Sequence, residues 1–205
     1  YNAAGEMSPL CDLNRGLIGA FNKEGNKLIG ITKNGNIKVS LASDYKFTKM
    51  SERIMKIKDG DELVFAATAN DDDYLILFNG DRNILKLAVK DLPVASKLTL
   101  GVKSGFATIG GAAIGRDSDN LLFVSGDNKG KLTPIKDFSI DSRGNKGQLV
   151  VENTQWMRLF DSGREYIYVI PNTGKGLILN RTKVSIKSRT ASGATLTTKK
   201  IKKII

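Results

Sequence analysis

The chain contains no histidine in 205 residues. The side chain that most often serves as general base and as metal ligand is therefore missing, which argues against hydrolase chemistry and against a metal site. Cysteine is almost as scarce. Cys11 stands alone, so neither an intramolecular disulfide nor a multi-cysteine metal cluster can form, and such a chain suits the reducing cytoplasm. No run of 18 apolar residues occurs, so no transmembrane helix is available. The start, Tyr1-Asn2-Ala3-Ala4-Gly5-Glu6-Met7, has neither the basic nor the apolar segment of a signal peptide, and without an initiator Met it reads as a fragment of a longer protein. Prolines number only four, and helical periodicity is absent. Negative charge is missing from one region: no acidic residue follows Glu165.

What is present completes the picture. Lys and Arg number 32 against 21 Asp and Glu, a net charge of +11. Nine of those cations lie after Glu165: Lys175, Arg181, Lys183, Lys187, Arg189, Lys199, Lys200, Lys202 and Lys203. The preceding residues are nearly balanced. A one-sided basic region with no amphipathic helical stripe points to a polyanion, nucleic acid before membrane. For Lys199 to Lys203 a solvated tail is the alternative reading.

A 46-residue repeat runs through the chain. Apolar runs begin at Lys27, Asp73, Asp119 and Glu165, and each leads into a turn: Asn34-Gly35, Asn79-Gly80, Gly126-Asp127-Asn128 and Asn172-Thr173-Gly174. Such runs bounded by turn residues predict buried strands entering hairpins. Ser96-Lys97, Ser142-Arg143 and Ser188-Arg189 keep the same spacing, as do Gly101, Gly147 and Gly193. An earlier strand is predicted in each unit at Gly16–Phe21, Leu63–Thr68, Phe106–Ala113 and Trp156–Phe160. A period in the forties with about four strands per unit predicts an all-β, propeller-like array of four-stranded blades. The approximate units are 10–55, 56–101, 102–147 and 148–195 within one domain, with 196–205 as a basic tail. A β-sandwich is the competing architecture, but it does not require units in register. Trp-Asp dipeptides and Gly-His pairs are absent, so this is not the WD40 kind.

The Ser-basic-x-x-x-Gly positions carry a resemblance. With Ile31-Thr32-Lys33-Asn34-Gly35-Asn36-Ile37-Lys38, the inter-unit segment Leu92-Pro93-Val94-Ala95-Ser96-Lys97 and Leu100-Gly101-Val102-Lys103, the units resemble the β-pinwheel blades of bacterial type IIA topoisomerase A subunits. The resemblance covers about residues 10–195. Gyrase members carry a Gln-Arg-Arg-Gly-Gly-Lys-Gly box, and Asp141-Ser142-Arg143-Gly144-Asn145-Lys146-Gly147 is its degenerate counterpart here, which favours topoisomerase IV over gyrase. Four units stand against the five or six blades of the family, which leaves ring closure open.

The resemblance implies duplex DNA running around an outer rim, held by phosphate contacts that carry no sequence information. The candidates are Lys33, Lys38, Arg82, Lys86, Lys129, Lys131, Lys175, Arg181 and Lys183 on the units, and Lys97, Lys103, Arg143, Lys146 and Arg189 between them. Gly144 and Gly147 have a second reading as turn glycines. The resemblance also implies no catalytic residue, metal or cofactor in this domain, with ATP and Mg bound elsewhere in the enzyme. Its partners would be DNA, the ATPase B subunit and the rest of the A subunit, and the isolated domain would be a monomer. Trp156, Phe65, Phe123 and Tyr168 read as core rather than base-stacking platforms. Asp71-Asp72-Asp73 reads as a tip between two strands rather than a cation site. A protein-interaction propeller with an incidental basic tail remains the alternative from another class; an adhesin is disfavoured.

Overall fold

Short turns convert the repeated apolar runs into hairpins. β1 (Lys27–Thr32) and β2 (Asn36–Leu41), β4 (Tyr74–Phe78) and β5 (Asn83–Ala88), β8 (Asn120–Ser125) and β9 (Lys129–Pro134), and β12 (Tyr166–Pro171) and β13 (Leu177–Asn180) are the four pairs. Gly35, Arg82 and Asn128, with φ of 81, 64 and 62°, sit at three of the tips, where the chain needs the left-handed region to reverse. The computed structural model describes residues 25–45, 53–173 and 175–204. The predicted strand at Gly16–Phe21 lies outside them.

Each hairpin gathers further strands from the next unit. β3 (Leu63–Ala69) pairs with β1, β7 (Gly111–Gly115) with β4, β11 (Thr154–Phe160) with β8, and β15 (Ile201–Ile204) with β12. Two-residue strands add a fourth position: β6 (Val102–Lys103) joins β2, β10 (Gln148–Leu149) joins β5 and β14 (Ala194–Thr195) joins β9. Three sheets are thus four-stranded and the last is three-stranded among the described residues, all antiparallel. The all-β blade array holds, but the sequence periods are not blades. A blade is the hairpin of one unit, the first strand of the following unit and the two-residue strand at or just past that unit's end.

Two details differ from the sequence reading. β1, β4, β8 and β12 begin at 27, 74, 120 and 166, so the first interval is one residue longer than the others. Residues 196–205 are also not simply a solvated tail: β15 buries Ile201 and Ile204, while Lys202 and Lys203 stay exposed.

The exchange is anchored by repeated backbone bonds. After each of the four hairpins a 3-10 turn forms, at Ala42–Asp44, Val89–Asp91, Ile135–Asp137 and Arg181–Lys183. Its first N–H donates to the residue preceding the hairpin: Val89 to Asp73, Ile135 to Asp119, Arg181 to Glu165. The chain then returns to the previous blade, where Val94, Ile140 and Ile186 make parallel bridges to Val39, Lys86 and Leu132. Three apolar cores fill the junctions between consecutive blades. The first is centred on Ile29, Leu75 and Leu87, the second on Phe78, Leu121 and Phe138, the third on Leu122, Ile167 and Val184. Phe123 is in the core, and Phe65 and Trp156 pack against core clusters, as expected. Tyr168 is not: it is 47 % exposed on the outer face of the last sheet.

Candidate nucleic-acid interface

The candidate cations separate into two populations. Lys38, Lys86 and Lys131, expected on the rim, are instead 1, 3 and 1 % exposed. Blades are packed on both faces, so an alternating strand has no free side on which to place these residues. Their ammonium groups are satisfied internally, as buried charges must be. Lys38 donates to Ser40 Oγ, to Tyr45 Oη at 3.3 Å and to Ile54 O at 3.0 Å. Lys86 donates to Asp117 Oδ1 at 2.7 Å and to Ile135 O at 3.1 Å, and lies 4.0 Å from the Tyr74 ring centroid. Lys131 donates at 2.6 Å to both Ser188 O and Arg189 O. Burial, followed by the nearby charge of Lys187, lowers its pKa to about 8. None of the three can reach a phosphate from these positions.

The remaining candidates are at the surface. Three face carboxylates: Lys33 pairs with Glu62 at 2.8 Å, Lys129 with Asp127 at 2.7 Å and Arg82 with Glu152 at 3.6 Å. The Glu62 contact raises the pKa of Lys33. Exposed pairs of this kind contribute little to stability and can be exchanged for a phosphate at little cost. Lys97 lies over the Tyr45 ring at 4.9 Å. Among the described residues, no ion pair joins Lys103, Arg143, Lys146, Lys175, Arg181, Lys183 or Arg189 to a carboxylate.

The inter-blade segments place two of these cations equivalently. Arg143 Nη1 donates to Lys103 O at 2.8 Å, and Arg189 Nη1 makes the same contact with Leu149 O at 3.5 Å, 46 residues on. The segment backbones match, with Gly105 N–H donating to Arg143 O at 2.7 Å and Val151 N–H to Arg189 O at 2.9 Å. A guanidinium has five N–H donors. One anchors the side chain to the preceding segment, and the others remain for a planar oxyanion such as phosphate. Lys103 caps Asn34 O at the adjacent hairpin tip. Lys146, Lys175 and Lys183 are exposed side chains on turns. Arg181 is half-buried, donates to Ser162 O at 3.0 Å and lies 5.6 Å from the Phe160 ring centroid.

The Asp141–Gly147 segment is ordered by its own side chains. Asn145 Nδ2 donates to Asp141 Oδ1 and Gln148 Nε2 to Asp141 Oδ2, both at 3.0 Å. The Ser142 hydroxyl and Asn145 Oδ1 are also 3.0 Å apart. This leaves Arg143, Gly144 and Lys146 exposed. Its two glycines differ. Gly147 has φ of 72°, and a Cβ there would stand 2.4 Å from Ile84 O, whereas a Cβ on Gly144 would meet nothing within 4 Å. Gly147 is a steric requirement of the turn.

Two members of the acidic trio, Asp71 and Asp73, tie the connection to neighbouring elements. Asp71 pairs with Lys27 at 2.5 Å. Asp73 accepts from Asn70 N–H and from Arg116 Nε, both at 2.7 Å. Asp119 repeats the first of these contacts on Arg116 N–H at 2.9 Å. The shared geometry of these turns is structural, and the connection at Asp71–Asp73 links two sheets rather than closing a hairpin.

The architecture defines a class: an interlocked array of propeller-like blades with cationic inter-blade turns. The family described as DNA gyrase C-terminal domain, beta-propeller, matches residues 26–70, 73–104 and 119–154, more than half of the chain. The chain belongs to this family of C-terminal domains of type IIA topoisomerase A subunits. It is 23 % identical over 185 residues to the A subunit of DNA gyrase from Staphylococcus aureus (strain MRSA252), a match covering 84 % of the chain and 21 % of that protein. The chain therefore spans about a fifth of the length of the curated relatives it matches. Among solved structures, the C-terminal domain of DNA topoisomerase IV superposes with a TM-score of 0.74 at 13 % identity, covering 90 % of this chain and 62 % of that one. The DNA gyrase A C-terminal domain superposes at 0.66 with 18 % identity, covering 87 % and 64 %. The Escherichia coli ParC C-terminal domain gives 0.64 with 12 % identity, covering 87 % and 78 %.

Proposed function

We propose that this chain is a noncatalytic domain that binds and bends duplex DNA and presents it to the cleavage core of a topoisomerase IV A subunit. The observation that carries the reading is the registered pair Arg143 and Arg189. Each is tied by one N–H to the preceding segment and lies on an inter-blade turn without a carboxylate partner among the described residues. Lys103, Lys146, Lys175, Arg181 and Lys183 extend the same cationic surface, with Lys33, Lys97, Arg82 and Lys129 at its margins. Contacts of this kind go to phosphates, so binding is expected to show little sequence preference. The ATPase B subunit and the rest of the A subunit are its partners on this reading, ATP and Mg bind outside it, and the enzyme works in the cytoplasm. The isolated domain is a monomer.

A second reading, the chirally wrapping domain of gyrase, is favoured by the matched family and by the gyrase name of the curated relatives. Against it stands the Asp141–Gly147 segment, which lacks one cation and one glycine of the gyrase box. Three of the fourteen candidate cations are also withdrawn into the interior. Bending by 40–90° over a short site costs on the order of 1–6 kcal/mol, and a wrapped path costs more and needs more phosphate contacts. Ligation of relaxed circles with saturating protein distinguishes the two. A small or absent change in linking number is expected; a large change of one sign would transfer the assignment to gyrase.

A further inference from the structure

The two registered inter-blade turns are built alike but braced differently. In the first, Asp141 and Asn145 bond to each other and hold the turn on which Arg143 stands. Their counterparts 46 residues on are Lys187 and Ala191, which cannot form that bond. The second turn is braced from beneath. Lys131 Nζ lies 2.6 Å from each of the carbonyl oxygens of Ser188 and Arg189, which also accept Ala191 N–H and Val151 N–H. At the first junction the residue equivalent to Lys131 is Leu85, buried in apolar surroundings with no ammonium to offer. In the second turn Lys187 Nζ instead donates to Ser192 O at 2.9 Å, and the buried ammonium of Lys131 is a brace that the first turn lacks.

We propose that Lys131 is a positioning residue for DNA binding: its buried ammonium clamps the Ser188 and Arg189 carbonyls and fixes the turn that presents Arg189 to a phosphate. The inference rests on the DNA-binding reading above. Lys131 is 1 % exposed, so it acts through the turn and not as a contact. Charged hydrogen bonds to two carbonyls are about twice as strong as neutral ones, so the clamp weakens as the ammonium loses its proton. Lys187 faces it from the turn. Arg82 and Glu152, from neighbouring loops, and Asp127 and Lys129, from its own hairpin, line the adjoining cleft of about 640 Å³. The Phe123 ring lies 5.6 Å away on the strand before. Deprotonation near pH 8 is a consequence of this setting.

A double-mutant cycle with fluorescently labelled duplex DNA, read by anisotropy, tests the proposal. Lys131→Met should weaken binding about fivefold in the parent background and by less than about twofold when Arg189 is already Ala. An equal loss in both backgrounds, or no loss in the parent, overturns it. If Lys131→Met does not fold, a pH series on the parent and on Arg189→Ala decides. The parent should lose affinity between pH 7 and 9, and Arg189→Ala should lose markedly less. Equal losses overturn the proposal. A parent with no salt-dependent DNA binding overturns the DNA-binding reading itself, a result distinct from an additive cycle.

Discussion

Replacing Gly147 by Ala isolates the steric demand of the inter-blade turn from any contact with DNA. Gly147 has φ of 72°, and an added Cβ would lie 2.4 Å from Ile84 O and 2.9 Å from Ile84 C. An L-residue in the left-handed region costs roughly 1–2 kcal/mol. The clash with Ile84 adds to this. Ile84 pairs with Gln148 in the two-residue strand β10, so relief of the clash must shift that pairing, at about 1 kcal/mol or more for a broken hydrogen bond. Gly147→Ala should therefore lose about 2–4 kcal/mol, equivalent to a fall of roughly 5–15 °C in Tm for a domain of this size. Gly144→Ala is the control: a Cβ there meets nothing within 4 Å, and its cost should stay below about 1 kcal/mol. Urea unfolding of parent and both variants, fitted with a common slope, measures the difference. If Gly147→Ala matches the parent within 1 kcal/mol, roughly the resolution needed to detect the strain, the steric account of the turn is wrong.

Replacing Arg181, Lys183 and Arg189 together by Ala should weaken duplex binding uniformly across sequences and flatten the salt slope by about one for each phosphate no longer engaged. An unchanged affinity and slope would remove the last blade from the interface. Lys86→Ala should cost about 2–4 kcal/mol in urea unfolding, because Ile135 O and Asp117 are deprived of a buried donor, but should leave the salt slope at the parent value. A flattened slope would return Lys86 to the rim. Lys131 also makes a signed prediction for stability. Its pKa falls from 10.5 to about 8 on folding, so the unfolded chain binds more protons across that interval. Its contribution to stability therefore rises with pH from about 8 to 10.5. Thermal unfolding should show that rise in the parent relative to Lys131→Met, and a parallel pair of curves would contradict it.

The sequence displayed the recurrence plainly, because hairpins need turn residues and those turn residues repeat. Strand exchange was not legible, since a period counts how often an element returns and is silent about which sheet it joins. The joining strands β6, β10 and β14 are two residues long, and only the registered Gly101, Gly147 and Gly193 marked their approach. Charge identity misplaced Lys38, Lys86 and Lys131. Their strands are buried on both faces, so the alternation that separates core from surface is lost, and a lysine there is explained by the carbonyl, hydroxyl and carboxylate acceptors that the fold brings to it. Arg143 and Arg189 were visible as candidates from spacing alone. Their shared guanidinium–carbonyl anchor, 40 residues back along the chain in each case, required the folded arrangement.

A rim built from phosphate contacts is tested most directly by the salt dependence of duplex binding. The dissociation constant of the domain should be measured with two unrelated duplexes of equal length over a series of salt concentrations. Such a rim predicts nearly equal affinities and a linear fall of log K with log salt, at a slope of about −0.9 per phosphate engaged. Affinity that ignores salt, or that depends strongly on which duplex is offered, would contradict it.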